Sequence, residues 1–344
     1  MGFYAAPLSQ SWKFCLPFQP FQPPPSTCRA IAAREASPRK TRCLDSRALR
    51  IGVSTLELDV GVTRDGIVVV HHDLRLNPDI ARGPDGRWLR APTPAIHELS
   101  FHDLRRYDVG RIRPGSDYSR RFARQRPMDG VRIPALDSLF DLSRHAGHPG
   151  LCFTKISPLA PADTLPPEAF ARALIGAVRA AGMQERVTVQ SFDWRTLATV
   201  QHEAPEIGTA YLSAQRDSLD NIGAGQAAGS PWTAGVQYSD HGSVPRMVKA
   251  AGGRVWSPYF GDLRRDLLAE AKSLGLKIVA WTVNDRADME RLIEWNVDGI
   301  ITDYPNLLRD VLGERGLPLP PTASRGVSGL DSAGSPGRRH GAVN

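Results

Sequence analysis

From about Ile51 the chain alternates short runs of β-branched and apolar residues with longer stretches whose apolar positions recur every three or four residues. The runs "TLELDV", "IVVVH", "LCFTKI", "VTVQS", "GTAYL", "RVWSP", "KIVAWTV" and "GIITD" predict strands. Between them, "PEAFARALIGAVRAAG" and "DLRRDLLAEAKSLG" have helical periodicity and close on the glycine that ends a helix, the second opening on Asp262 as N-cap. Such alternation predicts βα units on a parallel sheet. No G-x-G-x-x-G turn follows the first strand, so a closed TIM (β/α)8 barrel is preferred to a doubly wound sheet. Chemistry in a barrel gathers at the C-terminal ends of its strands.

The pattern lapses in three places. Residues 74–134 are rich in Arg, Pro, Gly and Asp, hold one short helical piece around "IHELSFHDLRRYDV", and are too long for a simple loop. They are read as an insertion, after the second strand region, over the mouth of a barrel spanning 51–314. Residues 315–344 form a Pro/Gly/Ser-rich tail expected to be disordered. Residues 1–50 show neither period and are read as an aberrant, disordered or out-of-frame segment, so that the first barrel strand is expected to be damaged or replaced.

Charge narrows the partners. The formal net charge is +7, but residues 1–50 hold eight Lys/Arg against two Asp/Glu and residues 315–344 four against one, leaving 31 basic and 33 acidic residues in 51–314. A near-neutral folded part has no basic stripe, so nucleic acid is not expected as a partner. Three of the four cysteines, Cys15, Cys28 and Cys43, sit in the N-terminal stretch, and no CxxC pair points to zinc or a disulfide framework. No run of 18 apolar residues is long enough to span a membrane, and "MGFYAAPLSQSWKFCLPFQPFQPPPS" lacks a continuous signal-peptide core.

The candidate chemistry starts in "STLELDVGVTRDGIVVVHHD". Glu57 and Asp59, one residue apart on a strand, share a face. Two unpaired carboxylates in a barrel lumen would be very costly, so they are read as ligands of a hard divalent cation, Mg²⁺ or Ca²⁺, rather than as salt-bridged acids at a strand end. His71 and His72 must face opposite sides. His72, beside Asp73, is the candidate for proton transfer, and His71 is taken as a packing or surface residue. Lys155 near the end of "LCFTKI" is placed to neutralise an anionic substrate oxygen, with a snorkelling surface lysine as the competing account. Trp281 is either core or the wall of a small polar substrate pocket. Asp303 and Tyr304 are expected to shape the turn after the last strand. A cation, an imidazole and a lysine for an anion add up to metal-assisted cleavage of a phosphate ester.

"LELDVGVTRDGIVVVHHD", "VTVQSFDW", "WTVN" and "VDGIITDYP" together resemble the glycerophosphodiester phosphodiesterases, from about Ile51 to Leu312. The resemblance implies a TIM barrel that hydrolyses glycerophosphodiesters, small molecules, to glycerol 3-phosphate and an alcohol. It implies Glu57 and Asp59 as metal ligands, His72 as one of two acid/base histidines, Lys155 as a substrate-binding lysine and Trp281 as a pocket residue. The likeness is greatest to secreted bacterial members with a long segment after the H-D strand, which would make an undamaged parent periplasmic or secreted.

Two family motifs are missing. The family opens with H-R-G on the first strand, followed by P-E-N-T, and neither is readable in residues 1–50. The E-x-K expected on the third strand is also broken, because Phe153 stands two before Lys155. The genetic code offers an account of the first gap. Joining the third base of each codon to the first two of the next allows Pro25 through Leu44 to be read as "FDLPGHRGARGLAPENTLP", with the histidine straddling the codons of Ala30 and Ile31. Upstream, Lys13 to Pro25 permit a Leu/Ala/Ser series resembling a secretory leader. Codon degeneracy gives latitude to any such threading, yet both motifs emerge in order and at their usual spacing. The hypothesis is a wrong reading frame restored near Arg47, and the nucleotide sequence of these codons decides it. The expectations are thus an impaired metal-dependent phosphodiesterase, a catalytically dead barrel that binds phosphodiesters, or a poorly folded product.

Overall fold

The computed structural model describes residues 27–31, 51–121, 127–146, 151–153 and 156–320. Eight parallel strands close into a barrel: β1 (Thr27–Ile31), β2 (Thr55–Leu58), β3 (Leu151–Phe153), β4 (Val187–Ser191), β5 (Gly208–Ser213), β6 (Val255–Pro258), β7 (Lys277–Ala280) and β8 (Gly299–Thr302). Each strand pairs with its neighbours in chain order, and β1 joins β8 to β2. Alternation sorts the side chains: Leu56 and Leu58 on β2, and Val187 and Val189 on β4, enter the main apolar core, which also holds Phe170, Leu174 and Leu197 of the outer helices. The intervening Glu57, Thr188 and Gln190 face the lumen and are buried.

One expectation about strands is corrected. "IVVVH" is not a barrel strand, because Val68–Val70 pairs antiparallel with Val60–Val62 in a separate two-stranded hairpin. Its Val68 and Val70 pack on the barrel core while Val69 faces a second one, so both faces are buried and the run looks like a barrel strand. The place of the first strand, expected to be damaged or replaced, is filled by Thr27–Ile31, in register with Gly299–Thr302 on one side and Thr55–Glu57 on the other. Barrel closure draws on backbone N–H and C=O groups, which every non-proline residue brings, so this slot can be filled without the family's side chains.

Residues 74–134 build the second core, in which Leu76, Ile80, Ile96, Leu104, Val109, Val131 and Ile133 pack on Val69. Arg82 bridges Asp108 and Asp129 at 2.6 and 2.5 Å. Arg75 ties the segment to the loop after β3 through Asp163, Nε to Oδ1 2.9 Å. A Cβ built on Gly110 would overlap the carbonyl oxygen of Met128, whose amide donates to the Gly110 carbonyl at 2.8 Å. Gly110→Ala is therefore expected to destabilise this segment by about 2 kcal/mol or more, read as a lowered unfolding midpoint; an unchanged midpoint would contradict the close approach.

The helix of "PEAFARALIGAVRAAG" runs Pro167–Ala180 and is followed by Gly182 at φ +63°. The next prediction shifts: the helix is Arg265–Ser273 with Arg264 as N-cap, and Asp262 instead ends a short 3-10 turn and accepts from the Gln215 amide at 2.8 Å. No helix among the described residues is long and apolar enough to cross a membrane. Cys15, Cys43 and Lys155 lie outside the described residues, as does the tail from residue 321.

Candidate active site

Glu57 is 7% exposed, and its Oε1 accepts from Gln190 Nε2 at 2.5 Å. The donor stands on β4 and the acceptor on β2, with β3 between them. A side-chain bond that skips a strand has to cross the barrel lumen, so Glu57 points inward near the C-terminal end of β2. Asp59 follows that strand and is half-buried. The His71 amide donates to the Asp59 carbonyl at 3.0 Å, continuing the Val60/Val70 register. That bond brings the backbone of His71 beside that of Asp59.

The histidines differ in environment. His72 is 27% exposed, and its Nδ1 lies 2.7 Å from Asp73 Oδ1. Burial acts to raise the Asp73 carboxyl, but the hydrogen bond and charge of His72, with the charge of His71 and the Asn77 amide, hold it well below the usual carboxylate range. An ionised Asp73 accepts, so Nδ1 carries hydrogen and Nε2 is the nitrogen left to exchange a proton. His71 is buried, and its Nε2 has no hydrogen-bond partner among the described residues. Burial pushes the His71 imidazole below the ordinary histidine range, although Asp73 and Asp59 act in the opposite direction.

A lowered folded-state value means that the unfolded chain takes up a proton near pH 6.5 while the folded chain does not. Stability is therefore expected to fall as pH drops below about 6.5, by at most about 1.4 kcal/mol per unit from this group. Unfolding midpoints between about pH 7.5 and 5.5 should decline less in His71→Leu than in the parent. Equal declines would refute the assignment.

Phe192, Tyr259 and Trp281 each directly follow a barrel strand, β4, β6 and β7 respectively. Trp281 meets Phe192 edge-on at 5.3 Å and Tyr259 at 5.6 Å, and its indole N–H donates to the Ser257 carbonyl at 2.9 Å. The predicted lone tryptophan is thus the centre of a three-ring ledge at the barrel mouth. Phe192 and Tyr259 were signalled only by standing one residue past a strand. Asn284 ties the ends of β7 and β8, its Nδ2 donating to Asp303 Oδ2 at 2.7 Å and its Oδ1 accepting from the Asp303 amide at 3.0 Å. This is how "WTVN" and "ITDYP" shape the turn.

A surface cleft lies elsewhere, between the helices Pro167–Ala180 and Trp194–Glu203, lined by Glu168, Arg195, Thr199, His202 and Glu203. Arg195 is held there by Asp193 and Glu203 by Arg172, so the ionic groups already satisfy one another. Glu57, Gln190 and Trp281 stand instead at or just past the C-terminal ends of barrel strands.

No group of three or more His, Cys, Asp or Glu able to hold a metal occurs among the described residues. Glu57 and Asp59 nonetheless offer carboxylate oxygens, and Oε1 of Gln190, the residue bonded to Glu57, is buried with no hydrogen-bond partner among the described residues. An unsatisfied buried acceptor costs about 1–3 kcal/mol. An all-oxygen set of this kind fits a hard divalent cation.

Residues 46–307 match the model of the glycerophosphoryl diester phosphodiesterase family. A solved protein of Silicibacter pomeroyi assigned to the glycerophosphoryl diester phosphodiesterases is 31% identical, covers 85% of this chain and 94% of its own, and superposes with a TM-score of 0.71. A glycerophosphodiester phosphodiesterase of Caldanaerobacter subterraneus is 26% identical over 81% of this chain and 94% of its own. An Oleispira antarctica phosphodiesterase solved with its product sn-glycerol-3-phosphate shares the fold at 18% identity, covering 83% of this chain and 96% of its own, TM-score 0.60.

Proposed function

This chain belongs to the glycerophosphoryl diester phosphodiesterase family, and from that premise we propose that it hydrolyses glycerophosphodiesters to glycerol 3-phosphate and an alcohol, at a rate impaired by its N-terminal segment. The observation that supports the reading is the inward-facing Glu57, bonded across the lumen to Gln190 near the C-terminal ends of their strands. The product in the Oleispira antarctica complex is what such a reaction would release.

Glu57 and Asp59 would hold a divalent cation, Ca²⁺ or Mg²⁺. When bound, it supplies a Lewis acid for a phosphoryl oxygen. His72, oriented by Asp73, transfers a proton through Nε2. Trp281 walls the pocket against water, and Lys155 offsets negative charge on the phosphoryl group. Histidine and arginine of an H-R-G motif are not encoded in the frame as read, and residue 153 is Phe rather than an acid. Losing one proton-transfer group costs roughly 10²–10⁴ in rate, which is the basis for proposing impairment.

The test is release of glycerol 3-phosphate from glycerophosphocholine. His72→Ala is expected to lower the remaining turnover by roughly 10²–10⁴, whereas His71→Leu acts mainly on stability. Turnover unaffected by His72→Ala would overturn the role given to that imidazole. A chain that binds the diester but yields no product even with the first strand restored would be a binding barrel.

A further inference from the structure

We propose that Gln190 supplies, through its side-chain carbonyl oxygen, a third oxygen ligand to the divalent cation held by Glu57 and Asp59. The proposal rests on the reading of those two carboxylates as cation ligands. It would explain how a site with Phe at position 153 retains a cation.

Gln190 is 2% exposed and stands on β4, two strands from Glu57, with its amide across the lumen from that carboxylate. Its oxygen has no hydrogen-bond partner among the described residues. Buried amide groups are almost always satisfied, and one that is not calls for an ion or water. Nε2 donates to Glu57 Oε1, and that bond holds the amide so that its oxygen, the atom without a partner, stands beside the carboxylate. Backbone and amide carbonyls serve Ca²⁺ and Mg²⁺ alongside carboxylates, so the exchange of an acid for an amide in the donor set is chemically sound. The Nε2 bond to Glu57 also relieves part of the cost of burying that carboxylate.

The test is calorimetric titration of Ca²⁺ and of Mg²⁺ into the full-length, chelator-stripped chain and into Gln190→Leu, Gln190→Glu and Glu57→Gln, with circular dichroism to check the fold. Gln190→Leu is expected to weaken cation binding by about tenfold or more, and Gln190→Glu to tighten it by about tenfold or more by returning a third carboxylate. Gln190→Glu keeps size and shape, so it decides the matter if Gln190→Leu does not fold. Parent affinity in both Gln190 variants, with loss in Glu57→Gln, would overturn the role of Gln190 alone. Parent chain and Glu57→Gln both failing to take up either ion would overturn the cation reading on which it rests.

Discussion

Re-encoding codons 25–44 in the shifted frame, so that the chain carries "FDLPGHRGARGLAPENTLP" there, is expected to raise phosphodiester turnover by roughly 10²–10⁴. The structure gives this expectation a location. Thr27–Ile31 forms the strand beside β2, with Ile31 in register with Glu57. The histidine of the shifted string arises at the junction of Ala30 and Ile31, so it would enter the barrel wall level with Glu57. A second imidazole at that height would share proton transfer with His72 across the acidic pair. The measurement is glycerol 3-phosphate release by the two chains under identical metal and substrate. Equal rates would refute the frame hypothesis functionally, and a gene whose codons do not permit the shifted string would refute it outright.

Glu57→Gln is expected to abolish cation-dependent stabilisation and to lower turnover of the re-encoded chain by about 10² or more. A ligand that binds only the folded chain adds about 2.7 kcal/mol at a hundred times its Kd, so the parent should melt higher in Ca²⁺ or Mg²⁺ than in chelator. In Glu57→Gln the two melting curves should coincide. The chelator baseline should not fall in this variant, because a buried charge is exchanged for a neutral amide of the same size. Retained metal-dependent stabilisation would show that the ion binds elsewhere.

The regular runs were legible because parallel strands covered by helices bury both faces and read as apolar β-branched segments, as in "VTVQS" and "GIITD". The same rule made "IVVVH" misleading, since a hairpin wedged between two cores is also buried on both faces. Asp262 looked like an N-cap, but a nearby hairpin amide captured its carboxylate and the helix began later. Thr27–Ile31 gave no signal, because "TCRAI" carries Arg29 at its centre and lacks the adjacent β-branched apolar residues of a run such as "GIITD".

At the site, the sequence determined which residue types could do the work, carboxylates for a cation and an imidazole for a proton, but strand alternation does not extend to Asp59, His71 and His72, which stand just outside the strands. Only the tertiary structure decided which strands lie next to each other and what meets across the lumen. Gln190 and Glu57 are 133 positions apart, and Phe192, Tyr259 and Trp281 belong to three different strand ends. Alternation is local, set by backbone geometry within a few residues, whereas these contacts exist only because barrel closure brings distant strand ends to one rim.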